Sequence, residues 1–195
     1  MPLLPAEGAA PQSISYRFRI EHDQVIAPQD FARYKSLGVI ASMQPNHLLT
    51  DMSWAEDRIG SQRAKNSCPW RTFFHQGTTL AFGTDYPVEP ITPFRGIYCA
   101  LTRRNEASTK TYYPDQSLTI NEALYSYTQA PAYAEFAETK KGKLKPGYYA
   151  DLVVLDRDLT KVAPAGILAA RVLRTVVAGK TVYMASRQTK IRCCG

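Results

Sequence analysis

The sequence predicts an α/β fold with a β-rich C-terminal part. Three strand-like runs, at 16–20, 39–45 and 78–85, are each followed by a segment with helical spacing. These runs are mostly apolar, as expected for strands covered on both faces. Beyond residue 138 the helical spacing gives way to strand and turn signals. Strand alternating with helix implies parallel units joined by right-handed crossovers.

Each element has its own signal. Residues 1–15 form a Pro/Ala/Ser leader with no periodicity, expected to be disordered. "YRFRI" (16–20) alternates and predicts a strand ending at Glu21-His22. "APQDFARYKSLG" (27–38) predicts a helix, with Phe31, Tyr34 and Leu37 at helical spacing and Gly38 closing it. "VIASMQP" (39–45) is the second strand, ending near Asn46-His47. A long loop over 48–60 is expected next, then a helix from about Arg63 to His75 closed by Gly77. "TTLAFGTD" (78–85) is the third strand, with Gly83 allowing close packing, and "FRGIYCALTRR" (94–104) the third helix. Residues 117–136 read as helical, with Thr119 and Glu122 spaced as a capping box and Pro131 dividing the helix in two. A turn at Lys145-Pro146-Gly147, a strand "ADLVVLD", and a hairpin about Ala178-Gly179-Lys180 complete a small sheet packed on the α/β part. The expected organisation is thus a leader (1–15), an α/β region (16–137), a β-rich segment (138–186) and a tail (187–195).

Composition narrows the function classes. The 195 residues are 45% hydrophobic and 21% charged, which suits a soluble globular protein. No apolar stretch approaches the ~18 residues of a membrane span, and the N-terminus lacks the basic start of a signal peptide. Cys68, Cys99, Cys193 and Cys194 form neither a metal motif nor a disulfide framework, so the expected compartment is the cytoplasm. The net charge of +7 is uneven: residues 138–195 hold 12 Lys/Arg against 4 Asp/Glu. That excess has two readings, a basic module for nucleic acid or acidic lipid, or a solvated loop and tail. No nucleic-acid motif accompanies it, which favours the second. A Gly-rich phosphate loop, a Gly-x-Ser-x-Gly elbow and a Cys/His nucleophile pair are all missing from the sequence.

Three polar groups, His22, His47 and Asp85, fall at or just after the ends of the three strands. Parallel α/β folds build their sites at the C-terminal ends of strands, and two imidazoles with a carboxylate suit zinc or a similar divalent metal. Each also has a plain reading. His22 can be an ordinary strand-end residue, His47 can line the loop, and Asp85 can make an Asx turn before Pro87. His75, at a helix C-terminus, reads as structural, since the helix dipole favours a cation there.

The stretches "RFRIEHDQVIAPQDFARYKSLGVIASMQPNHLLTDMSWAEDRIG", "TLAFGTDYPVEPITPFRGIY" and "LKPGYYADLVVLDRD" resemble the C-terminal half of amidohydrolase family 3, of the N-substituted formamide deformylase type. The resemblance runs from about Tyr16 to Tyr183. It implies the last three units of a (β/α)₈ barrel plus part of a small β-sandwich, and hydrolysis of an amide- or formamide-type C–N bond in a small molecule. It makes His22 a metal ligand, Asp85 a ligand that also handles the proton of the attacking water, and His47, Trp54 and Arg58 pocket residues. It implies a divalent metal, zinc by its ligand chemistry. The family's His-x-His pair and its further strand histidine have no counterpart among the three histidines here. Two alternatives therefore stand beside the hydrolase: an inactive fragment or subunit that needs a complementary chain or forms a homo-oligomer, and the basic module.

Overall fold

The computed structural model describes residues 16–186; the expected leader and the tail, with Cys193 and Cys194, lie outside the described residues. Two three-stranded sheets organise the chain. The first is parallel, in the order β1 (Arg19–Glu21), β2 (Ile40–Met43), β3 (Leu80–Phe82). Its register places Ile20 beside Ala41 and Ser42 beside Ala81. β1 is shorter than its alternating pattern because Arg17 takes φ 48°, outside the extended region. β2 and β3 are almost wholly buried, whereas β1 is an exposed edge.

Between β1 and β2, a 3₁₀ turn (Pro28–Asp30) leads into α1 (Phe31–Leu37). Gly38, left-handed at φ 65°, closes that helix as its sequence predicts. The connection from β2 to β3 departs from expectation. The predicted loop over 48–60 is helical: α2 (Pro45–Asp51) begins on Pro45, whose fixed φ suits a first turn, and α3 (Ala55–Ala64) carries Glu56 and Asp57 at its positive end. Gly60 breaks the regularity of α3 at φ 74°. The predicted helix from Arg63 to His75 is divided, because Pro69 restricts Cys68 and starts a new helix, α4 (Trp70–Gln76), closed by Gly77 at φ 84°.

α5 (Pro93–Thr102) follows β3, and α6 (Ile120–Ala134) packs on both β3 and α5. The capping box forms as expected: Glu122 N–H donates to Thr119 Oγ1, and Thr119 N–H donates to the Glu122 carboxylate. Pro131 does not divide the helix. It sits in the last turn, where its missing donor removes one hydrogen bond and the helix has almost ended. The core joins Trp70, Phe73, Met43, Leu80, Ile97 and Tyr112. Arg103 is fully buried within it, donating to the carbonyls of Tyr112, Cys68 and Ser67 at 2.8, 2.7 and 3.4 Å and lying over the Trp70 ring.

The second sheet is antiparallel: β4 (Leu152–Leu155), β5 (Val172–Val177), β6 (Lys180–Met184). Ala178 and Gly179 both take positive φ in the hairpin turn, the conformation that suits the twist of the flanking strands. A short helix without a sequence signal, α7 (Pro164–Leu168), docks on α5. The strands themselves leave Val153, Val182, Tyr183 and Met184 exposed, so the packing expected of this sheet is made mainly through α7. The basic segment is partly neutralised: Lys141, Arg157, Lys161 and Arg171 pair with Glu135, Asp156, Asp158 and Asp156.

Candidate metal centre

The C-terminal ends of the three parallel strands converge. His22 follows β1 directly, His47 lies in the first turn of α2 just after β2, and Asp85 follows β3. One ligand atom from each lies within 4.8 Å of the others. The His22 and His47 rings stack at 5.4 Å, and His47 Nε2 is 3.5 Å from Asp85 Oδ2.

Local backbone geometry turns these side chains toward each other. His22 takes φ 72° and Asp85 φ 57°. His and Asp tolerate this left-handed region better than most residues, but it costs energy that the surrounding fold must hold in place. His22 N–H is pinned to the Ser42 carbonyl at 2.7 Å, and Gly83 N–H to the Met43 carbonyl at 3.1 Å, so the strand ends are tied across the sheet. Gly83 is not a close-packing position: a Cβ there would meet nothing within 4 Å.

Asp85 is not an Asx-turn residue. Such a turn needs the N–H two residues on, and Pro87 has none. The backbone instead closes the turn, with Val88 N–H on the Asp85 carbonyl at 2.8 Å, and leaves the carboxylate free to face His47.

The donor set passes a test of fit for a divalent cation. His47 Nε2 is buried and has no hydrogen-bond partner among the described residues, an orphan that demands an explanation. His22 Nδ1 is 2.9 Å from Gln44 Oε1. With the proton on Nδ1, Nε2 keeps the lone pair a metal needs, and Gln44 fixes the ring as outer-shell partners do. Gln44 was not singled out from the sequence, although it lies one residue past β2, where the other groups cluster.

The remaining site residues lie elsewhere. Trp54, about half exposed, lines a separate cavity between α2 and α3. Arg58, one turn further along α3, is exposed and makes no ion pair among the described residues. His75 pairs with Glu122 at 3.0 Å, in keeping with a structural role. Asp23, next to His22, turns away to accept the Tyr34 hydroxyl at 2.5 Å. Burial pushes its carboxyl up to about 6, with the Tyr34 hydrogen bond opposing that shift.

The chain resembles known proteins along most of its length. It is 32% identical over 167 residues to the amidohydrolase YtcJ of Bacillus subtilis (strain 168), covering 85% of this chain and 32% of that protein. It is 28% identical to the N-substituted formamide deformylase of Arthrobacter pascens, covering 85% of this chain and 30% of that one. Among solved structures, an uncharacterized metal-dependent hydrolase from Pyrococcus horikoshii OT3 superposes with a TM-score of 0.68 at 34% identity, over 75% of this chain and 30% of that one. The chain thus spans about a third of the length of the curated relatives it matches. The Amidohydrolase family profile matches residues 6–183, beginning ten residues before the Tyr16 at which the sequence resemblance starts. With its matched residues covering most of the sequence and its strand ends carrying two imidazoles and a carboxylate, the chain belongs to the amidohydrolase family.

Proposed function

We propose that this chain carries part of the active site of a metal-dependent hydrolase acting on a non-peptide, amide- or formamide-type C–N bond of a small molecule. The observation that carries the reading is the meeting of His22, His47 and Asp85 within 4.8 Å at three parallel strand ends. His22 and Asp85 alone are too few ligands. With His47 they reach the three protein ligands typical of catalytic zinc sites, so His47 moves from pocket residue to ligand in this reading. Three consecutive parallel units with their ligands at one end also favour the last part of a (β/α)₈ barrel, with β4–β6 contributing to a β-sandwich.

Zinc, or a similar divalent metal, would supply Lewis acidity here, lowering the pKa of water to about 7 and polarising a carbonyl. Gln44 holds the His22 ring in one tautomer. The Asp85 carboxylate takes the proton of the attacking water and returns it to the leaving nitrogen, acting as general base and then acid. Trp54 and Arg58, spaced one turn apart, contact the rest of the substrate. The buried free thiols Cys68 and Cys99 favour a reducing compartment such as the cytoplasm.

A second reading has its own support: the chain is inactive until a complementary chain, or a second copy, covers the site. His22 and Asp85 are exposed, so water is not excluded from the centre. Tyr16, Phe18 and Ile20 are exposed along the unpaired edge of β1, which invites another strand. Zinc titration of the full chain against a chromophoric chelator tests both readings. One zinc per chain is expected, lost in His22→Ala and His47→Ala, with no formamide turnover by the chain alone. Zinc binding unaffected by both substitutions would overturn the metal reading, and turnover by the chain alone would overturn the second.

A further inference from the structure

We propose that Glu89 is a positioning residue for the candidate metal centre. Its buried carboxylate fastens the loop that begins at Asp85 to α2, the helix that carries His47. The inference rests on the metal-centre reading above and adds what sets the separation of two of its ligands.

The loop from Asp85 to α5 inverts the usual partition of side chains. Val88 and Ile91 are 71% and 69% exposed, whereas Glu89 between them is 8% exposed. An acid is almost never buried unless it is paired, because its carboxylate loses hydration there. Burial of apolar surface alone would turn Val88 and Ile91 inward and leave Glu89 in water. Two elements hold Glu89 inside instead. Thr50 Oγ1, on α2, donates to Glu89 Oε1 at 2.6 Å, and Arg95, on α5, pairs with Oε2 at 3.5 Å. Arg95 is shared with Glu106, to which it is closer, at 2.7 Å. The Thr50 bond is therefore the tighter hold on Glu89.

The next loop residue repeats the attachment. Asn46, fully buried in the first turn of α2, donates from Nδ2 to the Pro90 carbonyl at 3.4 Å. Asn46 and Thr50 are four residues apart, so they share one side of α2 and meet consecutive residues of the loop. The loop also closes on itself, through Val88 N–H on the Asp85 carbonyl at 2.8 Å. Asp85 sits at φ 57°, a conformation that persists only where its surroundings fix it. The attachment at Glu89 and Pro90 supplies that constraint. It joins the Asp85 loop to the turns of α2 on either side of His47, whose Nε2 lies 3.5 Å from Asp85 Oδ2.

The test uses the full chain and three variants, Thr50→Val, Thr50→Ser and Glu89→Ala. Zinc affinity is read by chelator competition, and the visible absorption of bound cobalt(II) reports the geometry of the ligands. Amide hydrogen exchange at Val88, measured without metal, reports whether the loop stays closed on Asp85. Thr50→Val and Glu89→Ala should weaken zinc ~10-fold or more and alter the cobalt spectrum. Both should speed Val88 exchange by roughly 10-fold. Thr50→Ser keeps the hydroxyl and should match the parent in all three measurements. Zinc affinity and a cobalt spectrum unchanged in Thr50→Val and Glu89→Ala overturn the inference, even if the melting temperature falls, because Glu89 would then serve stability alone. Unchanged Val88 exchange, or a Thr50→Ser as impaired as Thr50→Val, overturns it too. If Glu89→Ala fails to fold, the two Thr50 variants decide. A parent chain that binds no metal overturns the metal-centre reading. The Val88 amide then decides the anchor by itself, faster exchange upholding it and unchanged exchange refuting it.

Discussion

Asp85 illustrates how one residue reconciles a backbone role with a chemical one. Its carbonyl closes the turn to Val88 while its carboxylate points at His47, so the two roles use different atoms. Asp85→Asn preserves the size of the side chain and the backbone turn but replaces a charged ligand with a neutral one. The variant should keep its melting temperature and bind zinc at least ~10-fold more weakly. Calorimetry and chelator competition on the same preparation measure both. A large fall in melting temperature with zinc affinity intact would return Asp85 to a purely structural role.

Among the helices, the contact between α5 and α6 is the least tolerant. Gly96 lies buried in α5, and a Cβ built there would stand 1.9 Å from the Tyr127 hydroxyl and 2.8 Å from Asn46 Oδ1. Tyr127 cannot swing aside easily, because its ring packs edge-on against Phe82 at 5.3 Å. Replacing Gly by Ala in a helix normally gains about 1 kcal/mol, but overpacking costs ~1–3 kcal/mol. At 1.9 Å the clash should win, so Gly96→Ala should melt lower than the parent. The Tyr127 hydroxyl has no hydrogen-bond partner among the described residues. Gly96→Ala combined with Tyr127→Phe should therefore recover part of the loss, the Asn46 Oδ1 contact at 2.8 Å remaining. A double variant as unstable as Gly96→Ala alone would show that the clash lies elsewhere.

For the molecule as a whole, the residues leading into β1 are tied to those just beyond α6 by one ion pair across 121 residues. Arg17 donates from Nη1 and Nη2 to the two oxygens of Glu138 at 2.9 and 2.5 Å, and it also bonds the Tyr133 carbonyl. Its guanidinium lies 3.8 Å from the Tyr133 ring centre and 4.2 Å from that of Phe136. The hydrogen bonds from Arg17 hold the Glu138 carboxyl down at about 2, against 4.5 ordinarily. A carboxyl lowered on folding stabilises the native state above its unfolded pKa and loses that contribution as pH falls through the folded one. The difference in melting temperature between the parent and Glu138→Gln should therefore be constant above pH ~4.5 and shrink toward pH ~2. A difference that does not change over that interval would mean that the pair does not hold the edge strand.

Much of this architecture was legible in the sequence because its signals are local. Gly38, Gly77 and Thr119 end or begin helices through their own backbone and side-chain chemistry, so they act as read. The three strand-end groups could be placed from periodicity alone, whereas the Asx turn open to Asp85 fails because Pro87 has no N–H to donate. The 48–60 segment carries no clear helical signal because α2 and α3 are short and interrupted, and packing rather than pattern decides their weak intrinsic preference. Pro131 reads as a helix breaker in sequence, but its effect depends on how close the helix is to ending. Strand-end position already sets His47 beside His22 and Asp85 as a candidate group, but their approach to within 4.8 Å could not be read from spacing. It depends on the distance between strand ends separated by tens of residues, and only the parallel pairing of β1, β2 and β3 sets that distance.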